Sequence, residues 1–445
     1  MGIAGAGMSA LAELFAGRGV AVTGCDAAPG TIEDLRRLGI EVAAGHDPAH
    51  LDTARAVVVT SAIPKDHPEL TRARLLRLPI VRRAEALGEA VRGGDVVAVA
   101  GTHGKTTTAV MTTEALASAG RDPTGLVGGR VGSWHGNLRA GGDRVFVVEA
   151  DEYDRSFLAL APTIAVVTNV EADHLDIYSD LDDIRRAFEQ FARAARSIVV
   201  CGDYPGAMSL DLSSGAEIIR YGLREEDVRV RAVELMNVDG LQRFLVVFDG
   251  DVLGELTLRV PGVHNVRNAL AAIASGLALG VRLDQMRRGL EAFEGVERRF
   301  QRLGTVHGID VVDDYAHHPT EILATLDAAR AAFPGRRLVV AFQPHLFTRT
   351  RDFARDFGAA LARADAIFLT EIYPSREAPL PGVTSTLIED AVRDAGRVLS
   401  WRGERPGLAQ ALADRSREGD VIITLGAGDI THTGPELLRR LAESR

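Results

Sequence analysis

The chain has 445 residues, with 51 Lys and Arg against 61 Asp and Glu and a net charge of -10. At about 150 residues per domain this length predicts three domains, and the acidic balance argues against a nucleic-acid surface. No apolar run approaches the roughly 18 residues of a membrane span, and the opening Met1-Gly2-Ile3 lacks a charged signal segment; two distant cysteines, Cys25 and Cys201, fit a reducing cytoplasm without disulfide or zinc spacing.

In chain order, the first candidate element is a glycine turn. Gly5, Gly7 and Ala10 form G-x-G-x-x-A, followed by a helix through Gly17, a strand over 20–23 and the acid Asp26. In a dinucleotide-binding unit the helix N-terminus holds a diphosphate and such an acid holds a ribose. Only residues 1–4 precede the turn, where the pattern needs a strand, so a plain glycine turn stays open as the alternative. A strand there is central and buried on both faces, and its loss is expected to leave ladder groups unpaired and an apolar strip open. The natural chain is therefore expected to begin upstream, or this form to bind its ligand poorly. Strands near 57–60 and 80–81 complete a small α/β domain that Gly93-Gly94 closes.

The segment VVAVAGTHGKTTTAVM, 96–111, predicts a buried strand, a turn and a helix, the setting of a phosphate-binding loop. Backbone N–H groups would face the phosphates, with Lys105 as the point charge and the Thr106 hydroxyl on a magnesium ion. The spacing departs from G-x-x-x-x-G-K-S/T, because Val99 stands where the first glycine belongs. Composition adds weight: Lys65 and Lys105 are the only lysines among the 51 basic residues. A guanidinium fork cannot replace a compact ammonium between phosphate oxygens. The plain alternative is a Gly/Thr-rich turn with an exposed lysine.

Two later strands, 145–148 and 164–168, end on acids: Glu149-Ala150-Asp151-Glu152 and Asn169-Val170-Glu171-Ala172-Asp173-His174. Acids at the carboxyl ends of parallel strands lie where α/β sheets bind ligands, so Glu149 and His174 are candidates to complete magnesium coordination. Solvated loop acids with a capping histidine are the alternative. An amphipathic helix over 181–195 follows, then three alternating segments at 228–236, 241–248 and 253–260 with Asp239-Gly240 and Asp249-Gly250 as turns, an antiparallel appendage. Asn265 and Asn268 share one face of the next helix and suit a base edge, with Asn265 as a simple N-cap equally open. From about Arg299 a third α/β unit has strands at 309–313, 338–342, 366–370, 398–401 and 421–424. Its polar clusters follow strand ends: Asp314, Tyr315, His317 and His318, then His345 with Arg349.

Together these segments resemble the Mur ligase family. The resemblance runs from Gly2 to the C-terminus through GIAGAGMSA, TSAIPKDHPEL with IVRRAE, GTHGKTTT, EADEYDRSF, TNVEADHLDIY, PGVHNVRNA, GVERRFQ, DDYAHHPTEI, FQPHLFTRTRDF and LGAGDI, in the family's order. It implies an α/β protein of three domains: a Rossmann-like UDP-sugar domain (1–93), a central P-loop ATPase domain with a parallel sheet and small antiparallel appendage (94–298), and a Rossmann-like amino-acid domain (299–445). It implies ATP and Mg2+, with Gly101, Thr102, His103, Gly104, Lys105, Thr106 and Thr107 on the phosphates and Thr106, Glu149 and His174 serving the metal. Asn265 and Asn268 correspond to adenine contacts, Arg299 to a γ-phosphate contact and Asp314 to a ribose contact. Gly5, Gly7, Asp26 and Ser61 would face a UDP group, and Asn137 and Arg139 its sugar. Tyr315, His318, His345 and Arg349 lie where the amino acid and the intermediate would be met, and Lys105, Glu149, His174, His318 and Arg349 form the implied catalytic set.

The implied reaction joins L-alanine to the lactyl carboxylate of UDP-N-acetylmuramate through an acyl phosphate, with domain closure excluding water. The implied setting is a cytoplasmic monomer or weak homodimer without nucleic-acid or membrane partners. Two departures stand out: Leu346 occupies a position where many members carry Arg, and 181–196 contains no lysine to serve as a carbamylated metal ligand. A tripeptide-recycling ligase, a folyl-polyglutamate ligase, a P-loop switch and an NAD oxidoreductase are the alternatives. A switch would turn over ATP without the sugar, and no hydride-transfer set supports the last.

Overall fold

The computed structural model describes residues 1–28, 32–175, 177–213, 215–224, 228–238, 240–375 and 377–443; Asp176 and the expected turn residue Asp239 lie outside the described residues. The chain divides into two compact units, one of Met1–Glu234, Phe244–Leu256 and Arg267–Phe293, the other of Leu235–Arg243, Thr257–Val266 and Glu294–Arg445.

The first unit opens with two parallel ribbons, Thr23–Asp26 beside Glu41–Ala44 and Val57–Val59 beside Ile80–Arg82. Helix Ala6–Gly17 ends in a left-handed glycine cap: Gly19 has φ 78°, its N–H reaches Ala16 O at 2.9 Å, and Val20 N–H reaches Phe15 O at 3.0 Å. That cap uses residues 19 and 20, so the strand expected at 20–23 begins only at Thr23. The segment before the helix bridges the ribbons. Gly2 and Ile3 N–H donate to Cys25 O at 2.9 and 3.2 Å, and the Met1 ammonium donates to Val58 O at 2.8 Å. The expectation of unpaired ladder groups and an open apolar strip is corrected at these positions, since Met1 and Ile3 are buried there.

Strand Asp95–Ala100 lies inside a ten-stranded sheet, with six strands to one side and three to the other. Parallel strands flank it, Val145–Glu149 on one side with Val99 opposite Glu149, and Ile164–Val167 on the other with Ala100 opposite Val167. Cover on both faces and both edges explains its unbroken apolar run. Beyond Val145–Glu149 come Thr124–Val131 and Gly136–Arg139; beyond Ile164–Val167 come Ser197–Cys201, Glu217–Gly222, Val230–Val238, Leu241–Phe248 and Asp251–Leu258. Tyr221 pairs with Val230, so the appendage continues the edge of the sheet.

Helix Lys105–Ser118 follows strand Asp95–Ala100 and is buried from Thr106 through Thr113. Its interior threonines satisfy their hydroxyls internally, Thr112 on Thr108 O at 2.7 Å and Thr113 on Ala109 O at 2.8 Å. Helix Leu283–Glu291 crosses it closely, because a Cβ at Gly289 would sit 2.1 Å from Glu114 O. Ser118 Oγ also donates to Gln285 O at 3.0 Å.

The second unit holds a six-stranded sheet in the order Gln301–Val306, Ile309–Asp314, Val421–Leu425, Leu338–Phe342, Ala366–Thr370, Trp401–Gly403. The first pair is antiparallel and the rest are parallel. Val421–Leu425 lies between Ile309–Asp314 and Leu338–Phe342, which brings the loops after Asp314, Phe342 and Leu425 to one edge, the place where open α/β sheets take ligands.

Candidate active site

The loop between strand Asp95–Ala100 and its helix is shaped by two glycines. Gly101 has φ 140°, and a Cβ on it would fall 1.9 Å from Thr168 Oγ1; Gly104, with φ 81°, is the helix N-cap. The neighbouring strand end clamps the turn: Thr168 Oγ1 donates to His103 O at 2.6 Å, and Asn169 Nδ2 donates to the same oxygen at 3.0 Å. Asn169 Oδ1 accepts His103 N–H at 2.8 Å, and Thr102 Oγ1 accepts Glu171 N–H at 2.9 Å. A helix N-terminus with aligned N–H groups results, which suits an anion.

Lys105 leans over this loop. Its Nζ donates to Gly101 O at 2.8 Å and pairs with the buried Glu152 carboxylate at 2.8 and 3.0 Å. Burial opposes the ammonium, but Glu152 and Asp151 outweigh it and hold Lys105 above its usual range. Glu152 is itself pushed up to about 7 by burial, against the pull of Lys105. An incoming phosphate would replace Glu152 as the counter-charge.

Thr106 Oγ1 donates to Glu149 Oε1 at 2.9 Å, and Glu149 Oε2 accepts Gly128 N–H at 2.5 Å. A hydroxyl and a carboxylate side by side are hard oxygen donors of the kind Mg2+ takes. His174 has its Nε2 3.8 Å from both Glu152 and Asp173, with its ring edge-on to Tyr153. Thr107 is buried at the start of the helix. Asn268 Oδ1 accepts the Thr108 hydroxyl at 3.1 Å and lies where a Gly104 Cβ would strike it.

At the N-terminal turn, Asp26 accepts Ala4 N–H and Ala28 N–H, each at 3.0 Å, and so ties the strand end to the glycine segment. Gly5 caps the helix, and a Cβ on Gly7 would approach Arg83 Nη1 to 3.0 Å. Ser61 is exposed on the turn after Val57–Val59. Asn137 donates to Val127 O at 3.5 Å and Arg139 to Pro123 O at 2.5 Å. Arg139 also lines a cleft of about 520 Å3 with Glu13, Glu114 and Trp134. Burial, aided by Asp34, pushes Glu13 up to about 7.

In the second unit Asp314 is buried and accepts Phe300 and Ala316 N–H, both at 2.8 Å; burial lifts it to about 6 despite Arg299. Arg298 and Arg299 place their guanidinium carbons 4.8 and 5.0 Å from the Tyr315 ring centre. His318 caps helix Pro319–Ala332 through Thr320 N–H and meets Phe353 edge-on. The His345 ring stacks on Tyr373 at 5.9 Å, and its Nδ1 is 3.5 Å from Nη1 of the buried Arg349. Asn265 Nδ2 donates to Pro261 O at 2.7 Å. Leu346 is buried at φ 72° as the N-cap of helix Phe347–Leu361.

Thr106 and Glu149 thus meet, Lys105 pairs with Glu152, and His345 lies beside Arg349. Reasoning from sequence missed Glu152, Thr168, Asn169, Arg83 and Tyr373. All but Tyr373 lie inside quoted motifs, which was the available signal.

A strand, a glycine loop and a lysine-led helix, with acids on the flanking strand ends, define a phosphate-binding-loop enzyme of the α/β class. The chain belongs to the Mur ligase family. The family's catalytic domain matches 1–94, its middle domain 99–276 and its glutamate ligase domain 298–428. Among similar proteins, the UDP-N-acetylmuramate–L-alanine ligase of Acidothermus cellulolyticus is 46% identical over 99% of this chain and 94% of its own. That of Burkholderia cenocepacia is 44% identical over 100% and 97%. The solved UDP-N-acetylmuramate-alanine ligase of Thermotoga maritima superposes with a TM-score of 0.84 at 31% identity, covering 100% of this chain and 98% of that one. A murein peptide ligase from Psychrobacter arcticus gives 0.71 at 26% identity, covering 99% and 97%.

Proposed function

We propose that this chain uses ATP to join L-alanine to the lactyl carboxylate of UDP-N-acetylmuramate, releasing ADP and phosphate, in peptidoglycan synthesis. The observation that carries the reading is the clamped loop 101–107 with Lys105 and the Thr106–Glu149 pair, in a chain that aligns end to end with ligases of that name. A carboxylate is a poor acyl donor because oxide would have to leave. Transfer of the γ-phosphoryl group to it gives an acyl phosphate, the amine of L-alanine attacks, and phosphate departs from the tetrahedral intermediate.

Lys105 would turn from Glu152 to the β- and γ-phosphates, with the N–H groups of 101–107 holding the remaining oxygens. The hydroxyl of Thr106 and the carboxylate of Glu149 fit Mg2+ by donor type, and His174 is the third candidate ligand. Bound there, the cation would neutralise phosphate charge. Asn265, Asn268, Arg299 and Asp314 stay assigned to the nucleotide; Gly5, Gly7, Asp26 and Ser61, joined by Arg83, to the UDP group; Asn137 and Arg139 to the sugar. Tyr315, His318, His345 and Arg349 are assigned to the amino acid and the intermediate, with Arg349 as the carboxylate clamp in place of the residue missing at Leu346. The reading is of a cytoplasmic monomer or weak homodimer; among the described residues no helix is long and apolar enough to cross a membrane.

The test is a mixture of purified chain, ATP, Mg2+, UDP-N-acetylmuramate and single amino acids, read by product mass and phosphate release. Phosphate is expected only when the sugar nucleotide and L-alanine are both present. Equal ATP turnover without the sugar would point to a nucleotide switch instead.

A further inference from the structure

Away from the phosphate loop, three elements of the N-terminal segment converge on one buried carboxylate. Glu69, on helix Pro68–Leu75, is fully buried. Cys25, from strand Thr23–Asp26, sets its Sγ 3.3 and 3.4 Å from the two Glu69 oxygens. His46, just after strand Glu41–Ala44, sets its Nδ1 3.0 Å from Glu69 Oε2 and 3.3 Å from Cys25 Sγ. One sulfur, one nitrogen and one oxygen therefore form a triangle with edges of 3.0–3.4 Å. The other carboxylate oxygen is steadied separately, by His50 Nδ1 at 3.0 Å and Asp47 N–H at 3.1 Å.

We propose that Cys25, His46 and Glu69 form a zinc site that staples the N-terminal segment, with solvent as the fourth ligand. Dimensions support it. Tetrahedral zinc, with bonds of about 2.0–2.3 Å, needs donor separations of about 3.4 Å for nitrogen and oxygen and about 3.6 Å for pairs with sulfur. The triangle need open by only a few tenths of an ångström. Donor chemistry supports it too, since a thiolate with an imidazole and a carboxylate selects zinc over magnesium or calcium. The outer contacts of His50 and Asp47 on Glu69 are the kind that orient a metal-binding carboxylate. Without metal, the Cys25 thiol donates to Glu69; on binding, its proton leaves to solvent and a sulfur–zinc bond replaces the S–H. Neither the family's nucleotide loop nor the magnesium pair Thr106–Glu149 contributes a ligand.

The test uses the full, tag-free chain stripped with chelator and kept in excess Mg2+, which occupies hard-oxygen sites. Titration with Co2+ is expected to give a near-ultraviolet thiolate-to-cobalt band that saturates at one equivalent and is bleached by Zn2+. Zn2+ alone is expected to raise the melting temperature by several degrees. Cys25→Ser should abolish the band, and His46→Gln and Glu69→Gln should each weaken Zn2+ binding at least tenfold, while Cys201→Ser changes neither. If Cys25→Ser fails to fold, His46→Gln decides by the same titration. A wild-type chain without the band overturns the assignment, as does a band that survives Cys25→Ser or a His46→Gln chain that binds Zn2+ within about threefold of wild type.

Discussion

Replacing Gly101 by alanine tests the phosphate loop at its tightest point. The new Cβ would stand 1.9 Å from Thr168 Oγ1 and 3.1 Å from Asn169 N, on a backbone with φ 140°. A side chain in that conformation costs about 1–3 kcal/mol. Relieving the clash means moving Thr168 off His103 O, which it holds at 2.6 Å, and losing that bond costs about 0.5–1.5 kcal/mol more. The sum, about 1.5–4.5 kcal/mol, corresponds to a fall of roughly ten- to two-thousand-fold in kcat/KM for ATP, if the strain is carried by the active conformation. The assay is steady-state phosphate release with the sugar nucleotide and L-alanine saturating, alongside a melting curve to confirm that the variant is folded. Thr168→Ala removes the obstructing oxygen, so the double variant should lose less than the product of the two single losses. A folded Gly101→Ala chain with near wild-type kcat/KM for ATP would refute the argument that this turn demands glycine.

Four further expectations follow from the same geometry. Lys105→Arg keeps the charge but presents the wrong shape, and phosphate release should fall about 10²- to 10³-fold; an unimpaired variant would remove Lys105 from the phosphates. Glu149→Ala leaves the Thr106 hydroxyl without its partner carboxylate, and the Mg2+ concentration for half activity should rise at least tenfold, whereas lowered activity with an unchanged Mg2+ titration would reassign the residue to packing. Arg349→Lys should raise KM for L-alanine at least tenfold and leave KM for ATP alone, and equal changes in both would speak against a carboxylate clamp. Glu13, lifted by burial from an ordinary 4.5 to about 7, binds its proton more tightly in the folded chain. Its stabilising contribution is therefore complete below about pH 4.5 and is lost as pH rises through about 7, so Glu13→Gln should flatten the stability–pH curve in that window. Superimposable curves for the two chains would contradict the assignment.

The features legible in the sequence were those that chemistry forces on the local chain. Gly101 and Gly104 mark positive φ, Lys105 stands out in an arginine-rich protein, and the runs before Ala100 and Glu149 announce buried parallel strands. Register between strands was not legible, and it decides the rest. Thr168 reaches His103 only because Ala100 lies opposite Val167, and Glu152 reaches Lys105 across 47 positions. The group of Cys25, His46 and Glu69 spans separations of 21 and 23 residues on three elements, a spacing no local pattern carries. The strand after helix Ala6–Gly17 was set too early because Val20-Ala21-Val22 reads as its start, whereas the Gly19 cap takes up Val20.

The crossing of helix Leu283–Glu291 over helix Lys105–Ser118 at Gly289 bears on how the protein breathes. A helix buried from Thr106 through Thr113, with a second backbone in contact at Glu114 and a hydroxyl tie from Ser118, meets solvent only toward its C-terminal turn. Its amides between Thr108 and Leu116 are expected to exchange with deuterium only when the whole unit opens, at the slowest rates in the chain. The loop at its head would then be anchored to the most durable part of the molecule. An added side chain at Gly289, far from Lys105, would register as weaker nucleotide binding because it loosens that anchor.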